Sequence, residues 1–252
     1  MSSVVRVQLK VLNQPVEAEV PTPPATVRLD AVLPLLRQLD DKAVDLAVAQ
    51  VGRETGERVT CAKGCSACCR AQPVPVTPVE AYALWRLVEA LPEPRRSEVR
   101  DRFAANAAAL RDAGLAEQYL ERPRAIRQEA ALPLARTYFA LGLVCPFLTD
   151  DACGIYAERP FVCRQFLVTS PPALCDDPFD ESIRGIPAPV RFAHAMLDAG
   201  EAFLKTPQST IPLALALVYV ERHRAELERT FPSEAVFRTA IRQLAGGAPT
   251  TA

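Results

Sequence analysis

The residues with the most evident chemistry in this chain are its eight cysteines, set against only two histidines. Cys61, Cys65, Cys68 and Cys69 form the run CAKGCSACC. A second group follows far along the chain: Cys145 in CPFL, Cys153 in CGIY, Cys163 in RPFVCRQF and Cys175 in ALCDD. Thiolates bind soft and borderline metals, and a short loop can aim several sulfurs at one point while the intervening backbone wraps the ion. Eight sulfurs suffice for two four-coordinate sites, or for one cluster of iron and sulfide with a remainder. Cys68 and Cys69 are adjacent, so their side chains diverge and should serve different metal ions or different edges of a polynuclear centre. A buried, inert thiol is the competing reading for Cys145 or Cys175 taken singly, because free cysteine packs as a small hydrophobe.

Several neighbours could tune such a centre. Arg159 and Arg164 flank Cys163 and could donate hydrogen bonds to anionic sulfur, or could instead be spent on salt bridges to Glu158 or Asp151. Gly64 and Gly154 each adjoin a cysteine and would let main-chain amides approach sulfur. Tyr156 beside Ile155 reads as a packed ring, and Asp176, Asp177 and Asp180 as a solvated acidic turn. His194 and His223 sit at no ligand spacing from a cysteine and read as solvated.

These residues must be held by something, and the periodicity points to helices. Near the N-terminus Val5, Val7, Leu9 and Val11 alternate with polar residues, as do Val16, Ala18 and Val20, which predicts a β-hairpin. The PTPP run at 21–24 is a linker into a helix over Leu29–Val51. Thr77-Pro78-Val79-Glu80 carries the capping pattern of a starting helix, with Leu84, Leu87, Val88 and Leu91 on its apolar face. Val99, Phe103, Ala107 and Leu110 form another helical stripe, and further helices are expected around 125–142, 189–205, 212–230 and 233–245. The expected fold is mainly α: a compact helical domain around a cysteine-rich loop region, with the later cysteines on loops between helices. Three segments are expected: 1–24, hairpin and linker; 25–185, the metal-binding domain; and 186–252, a helical extension packed on the same core.

Composition narrows the function. Lys and Arg number 29 against 30 Asp and Glu, so a net charge of -1 gives no field to attract nucleic acid or an anionic bilayer. The start, MSSVVRVQLK, has no export signal, and the longest stretch without charge, Thr206 to Val220, falls short of the roughly 20 apolar residues a membrane span needs. A cytoplasmic location with reduced cysteines is expected.

The cysteines and their fixed companions resemble a known pattern. CxxxCxxCC, then CPFL, then CxIYxxRPxxCRxF and a last cysteine followed by aspartate is similar to the YkgJ-like family of cysteine-cluster proteins, described as zinc- or iron-chelating domains. The resemblance covers residues 59–180 and includes Pro146, Phe147, Ile155, Tyr156, Arg159, Pro160, Arg164 and Phe166. Many members place two residues between the first two cysteines, whereas Ala62, Lys63 and Gly64 stand here, which leaves the identity of the metal open. Some relatives are linked to N-methylation of flagellin lysines and to an iron–sulfur cluster. The chain has no GxGxxG loop for an adenosyl cofactor in the usual way. CAKGCSAC also matches the CxxxCxxC spacing of radical enzymes acting on S-adenosylmethionine, but no strand–helix alternation surrounds it and Ala67 replaces the usual aromatic.

The resulting expectation is a metal-binding protein with Cys61, Cys65, Cys68, Cys69, Cys145, Cys153, Cys163 and Cys175 as ligands and Arg159 and Arg164 beside them. The cofactor would be an iron–sulfur cluster, of the [4Fe–4S] type, used for redox work or active-site assembly. The alternatives are a structural zinc protein that presents a surface to a protein partner, and a protein-lysine methyltransferase implied by the resemblance.

Overall fold

The computed structural model describes residues 4–62, 64–121 and 128–246. The period-2 segments form the hairpin: β1 (Val4–Val11) pairs antiparallel with β2 (Gln14–Pro21), in register from Val4↔Pro21 to Val11↔Gln14. Leu12 and Asn13 turn the chain with φ of 48° and 63°, the mirror-image turn whose twist matches that of paired strands. Leu9, Val11, Val16, Ala18 and Val20 are buried, and the hairpin lies on α1 (Leu33–Thr55).

Before α1, β3 (Thr26–Val27) and the 3-10 turn Leu29–Val32 follow the proline linker. The helix stops at Gly56, whose φ of 73° is the left-handed conformation glycine adopts without strain. After the first cysteines come α2 (Ala67–Ala71), β4 (Pro75–Val76) and α3 (Pro78–Glu89). α4 (Arg95–Asp112), α5 (Ala116–Leu120) and α6 (Gln128–Ala140) follow. The second cysteine region holds a small hairpin, β5 (Leu148–Thr149) with β6 (Ala152–Cys153), then α7 (Phe161–Gln165) and the 3-10 turn Pro172–Asp176. The C-terminal part is α8 (Phe192–Leu204), β7 (Ile211–Pro212), α9 (Ala216–Leu227), β8 (Phe231–Pro232) and α10 (Ser233–Gly246).

The fold is mainly α, as the periodicity predicts, with the N-terminal strand pair as its longest β element. The helix expected over 29–51 is a 3-10 turn leading into α1, and that expected over 125–142 is α6 from Gln128, residues 122–127 lying outside the described residues. Two short pairings fasten distant parts of the chain: β3 with β8, and β4 with β7. The main core draws Leu9 and Val16 from the hairpin, Leu36, Val79, Phe103 and Phe161 from the middle, and Phe192, Met196, Val220 and Val236 from the C-terminal helices. α3 packs on α9 and α8 on α10, while Leu110, Tyr119, Leu134 and Tyr138 form a satellite cluster where α4, α5 and α6 meet.

Cys145 lies on a loop as expected, but the expectation of loops under the other later cysteines needs correction. Cys163 lies inside α7, Cys153 in β6 and Cys175 in the 3-10 turn, while Cys68 and Cys69 lie in α2. These elements are too short to leave a periodic signal in sequence, and tertiary contacts hold them.

Candidate metal centre

The first cysteine loop is pinned from both ends. Thr60 donates its amide to the Val168 carbonyl (3.0 Å) and its hydroxyl to the Ser170 carbonyl (2.6 Å), which sets Cys61 beside the 168–170 segment. The Val168 amide in turn faces the Cys61 sulfur. Gly64 takes φ of 89°, a conformation that a side chain would strain, and the next amide, Cys65 N, donates to the Ala62 carbonyl at 2.9 Å. Ser66 and Arg70 of the α2 segment both bond Asp151, in the tight turn between β5 and β6. α2 also packs against the 3-10 turn that carries the buried Cys175.

The same α2 reaches the remaining cysteines through the main chain. Cys145 donates its amide to the Cys69 carbonyl at 2.7 Å, and the amides of Phe147 and Leu148 face the Cys145 sulfur. The β5–β6 register places Leu148 opposite Cys153. Gly154 then donates to the Phe147 carbonyl (2.9 Å), while Arg95 reaches the Gly154 carbonyl (3.0 Å). A Cβ on Gly154 would stand 2.4 Å from Arg95 Nη2 and 3.0 Å from the Phe147 oxygen, so close approach rather than a special φ requires glycine here.

Cys163 is held by a buried polar frame. Glu80 caps α3 as the capping pattern predicts, its Oε2 accepting from the Thr77 amide and hydroxyl at 2.9 Å. Its other oxygen accepts from the Phe161 amide at 2.8 Å, at the start of α7. Burial pushes the Glu80 carboxyl up, against the pull of these donors and of Arg37. The Phe161 ring stacks on Phe192 at 5.5 Å, fixing α7 against α8. Gln165 bonds Asp40 Oδ1 (2.8 Å) and the Val190 carbonyl (2.7 Å). Glu80 and Asp40 were not singled out as site residues; only the capping pattern signalled Glu80, and nothing local signalled Asp40.

Arg164 is buried and committed to this frame: it pairs with Asp41 and bonds the Ala157 and Arg159 carbonyls. Its partner is neither Glu158 nor Asp151, because α1 brings Asp41 alongside α7. Arg159 is placed differently. Its guanidinium lies over the Tyr156 ring at 3.9 Å, its charge acts on Cys68, and its buried Nε has no hydrogen-bond partner among the described residues. Gln72 Nε2, one turn beyond Cys68, is likewise a buried donor without an acceptor. Tyr156 is 60% exposed, so it is not the packed ring expected; the side chain sits outside, under Arg159.

All eight thiols are free. Burial raises Cys61, Cys163 and Cys175 above the usual thiol range and Cys145 to about 11, and Cys68 is raised first by its hydrogen bond to the Cys69 thiol and then by burial. These five thiols are therefore protonated at neutral pH, unlike an activated nucleophile, and a metal would bind by displacing their protons. Cys68 is the common neighbour: the charge of this sulfur is felt by Cys61, Cys145, Cys163 and Cys175. Among the described residues, no three His, Cys, Asp or Glu side chains stand together as a finished ligand set. The structure thus gathers the two cysteine stretches around α2 without closing them on one point. The surface depression lined by Pro15, Val16, Glu17, Lys42, Asp45 and Leu46 contains no cysteine.

A cluster of protonated, partly buried thiols with amides aimed at sulfur and two unsatisfied buried donors beside it has the donor set of a metal-chelating domain. Residues 60–180 match the model of the CxxCxxCC family, described as "Putative zinc- or iron-chelating domain". The hairpin and the helices after residue 180 lie outside the match. No curated protein and no solved structure matches the chain. No helix among the described residues is long and apolar enough to cross a membrane.

Proposed function

We propose that the metal bound by this domain is an iron–sulfur cluster, held by cysteines drawn from both stretches and used for electron transfer or for assembling an active site. The observation that carries this reading is the pairing of strongly desolvated thiols with few positive charges. Arg159 is the one cation among the main charges acting on Cys68, and Arg164 is spent on Asp41. Four thiolates around a single zinc ion make a compact dianion, whereas an iron–sulfur cluster spreads the same charge over many metal and sulfide atoms. The desolvation cost of a charge falls as its radius grows, so the spread dianion is the cheaper one to bury. Bridging sulfides would also give Arg159 Nε and Gln72 Nε2 the acceptors they lack. Cys61, Cys65, Cys68, Cys69, Cys145, Cys153, Cys163 and Cys175 are the candidate ligands, and the cluster would supply one-electron chemistry there. In this reading residues 25–185 are the metal-binding unit, and the hairpin and C-terminal helices brace it.

The test is iron, zinc and acid-labile sulfide analysis of anaerobically purified protein, with its visible spectrum. Iron with matching sulfide, and colour bleached by dithionite, is expected. Colourless protein that carries zinc without sulfide would replace this reading with the structural-zinc one.

A further inference from the structure

We propose that the free edge of β1 docks a second copy of this chain, the two β1 strands pairing antiparallel about Val7 to make one four-stranded sheet. The proposal is independent of the metal centre.

The two edges of the hairpin are built differently. On β2, the Glu17 carbonyl accepts from Lys42 (2.6 Å) and the Glu19 amide donates to the Gln38 side chain (3.4 Å), so both residues turn their main chain away from β1 and towards α1. The positions in phase with them, Pro15 and Pro21, have no amide to offer. Prolines and covering side chains are the means by which sheets close an edge against pairing, and β2 has both. Residues opposite each other in an antiparallel ladder share one phase. Arg6 and Gln8, opposite Glu19 and Glu17, therefore turn their main chain away from β2, as do Val4 and Lys10. No strand other than β2 pairs with β1, and among the described residues no hydrogen bond from outside the hairpin reaches these main-chain groups.

The side chains on this edge select the occupant and the register. Outward residues must meet outward residues for the ladder to form. Setting Arg6 opposite the second copy's Arg6 or Lys10 would bring like charges face to face. The register centred on Val7 avoids both: Arg6 meets the second copy's Gln8, and Val4 meets its Lys10, so all four outward residues of each strand are paired. On the opposite face Val5 and Val7 are only half-buried, whereas Leu9 and Val11 are buried. The same register lays Val5 against the second copy's Leu9 and Val7 against its counterpart, which covers the two half-buried valines. Arg6 is paired with Glu19 at 3.1 Å, and Lys10 shares its face with Glu17, so the polar face of each hairpin is balanced and two copies do not repel. The pairing is its own mirror about a two-fold axis, as a symmetric dimer requires. Four residue pairs with two main-chain bonds each give about eight hydrogen bonds, across an interface of the small class that associates reversibly.

The experiment follows the full chain, purified anaerobically and kept reduced, by sedimentation from roughly 1 to 500 µM, with hydrogen exchange read by NMR at both ends of that range. The average mass is expected to rise from one chain towards two. The amides of Arg6, Gln8 and Lys10 should gain protection with concentration, while those of Val5, Val7 and Leu9 are protected throughout. Gln8→Lys keeps the hairpin, where the new cation faces Glu17, but faces Arg6 of the second copy twice, and should weaken association about three- to tenfold. Val4→Glu, opposite the second copy's Lys10, should tighten it about threefold. A mass that stays at one chain with those amides exchanging freely at both concentrations would overturn the proposal. So would association that neither substitution moves, which would place the interface elsewhere. Protection of the same amides in a chain that stays monomeric would assign the edge to another segment of this chain and overturn it as well.

Discussion

Asp40 gives the sharpest test of the frame behind Cys163. It is fully buried on α1, with Oδ1 bonded to Gln165 and Oδ2 without a partner among the described residues. Burial, opposed by Gln165 and Arg164 and reinforced by Asp41 and Glu80, raises its pKa from 3.8 to about 7. At about 1.4 kcal/mol per unit of pKa, this corresponds to about 4 kcal/mol between the two protonation states. The sign follows from which state holds the proton more tightly. Below pH ~4 both native and unfolded chains keep it, so the site carries no ionisation penalty. Between about pH 4 and 7 the unfolded chain has lost its proton and the native one has not, so stability falls as pH rises; above about 7 the penalty is constant. Asp40→Asn keeps an acceptor for Gln165 and removes the ionisation. Urea unfolding of reduced, metal-free protein from pH 4.5 to 8 should therefore show the wild type losing a few kcal/mol relative to the variant, with the difference levelling off above neutrality. Parallel stability curves across that range would refute the assignment of Asp40 as a desolvated, half-satisfied carboxyl.

Removing Glu80 should be costly for a different reason: Glu80→Ala strands the buried Thr77 and Phe161 amides, and denaturant unfolding should register a loss of about 2–5 kcal/mol. Arg159→Gln should weaken metal retention about 10–100-fold in chelator competition while costing the metal-free protein no more than the roughly 1 kcal/mol of its contact with the Tyr156 ring, because its Nε has no partner to lose. An equal loss of metal-free stability would mark Arg159 as structural. Gly154→Ala would press a methyl group against the Phe147 carbonyl and displace Arg95, and a thermal melt should report a destabilisation of about 1–3 kcal/mol.

What could be read from sequence was what local chemistry fixes. The hairpin was legible because a strand buries every second residue, and the α3 start because Thr77 and Glu80 are three residues apart and cap each other. The cysteine pattern was legible as a candidate ligand set because residue type alone defines a soft donor. The short helices bearing Cys68, Cys69 and Cys163 were not, since five residues hold too few turns for a period to appear. The two-residue pairings β3–β8 and β4–β7 were hidden for the same reason.

Sequence by itself determined the thiol inventory, the helical class and the companions of each cysteine, all properties of residues and their near neighbours. Only the tertiary structure decided how those residues divide their labour. Glu80 reaches 81 positions along the chain to the Phe161 amide, Asp41 takes Arg164, and Arg159 is left with a buried donor to spare. Such roles depend on which partner arrives first in a desolvated interior, where a polar group must be satisfied by whatever the fold brings beside it, and no spacing along the chain encodes that.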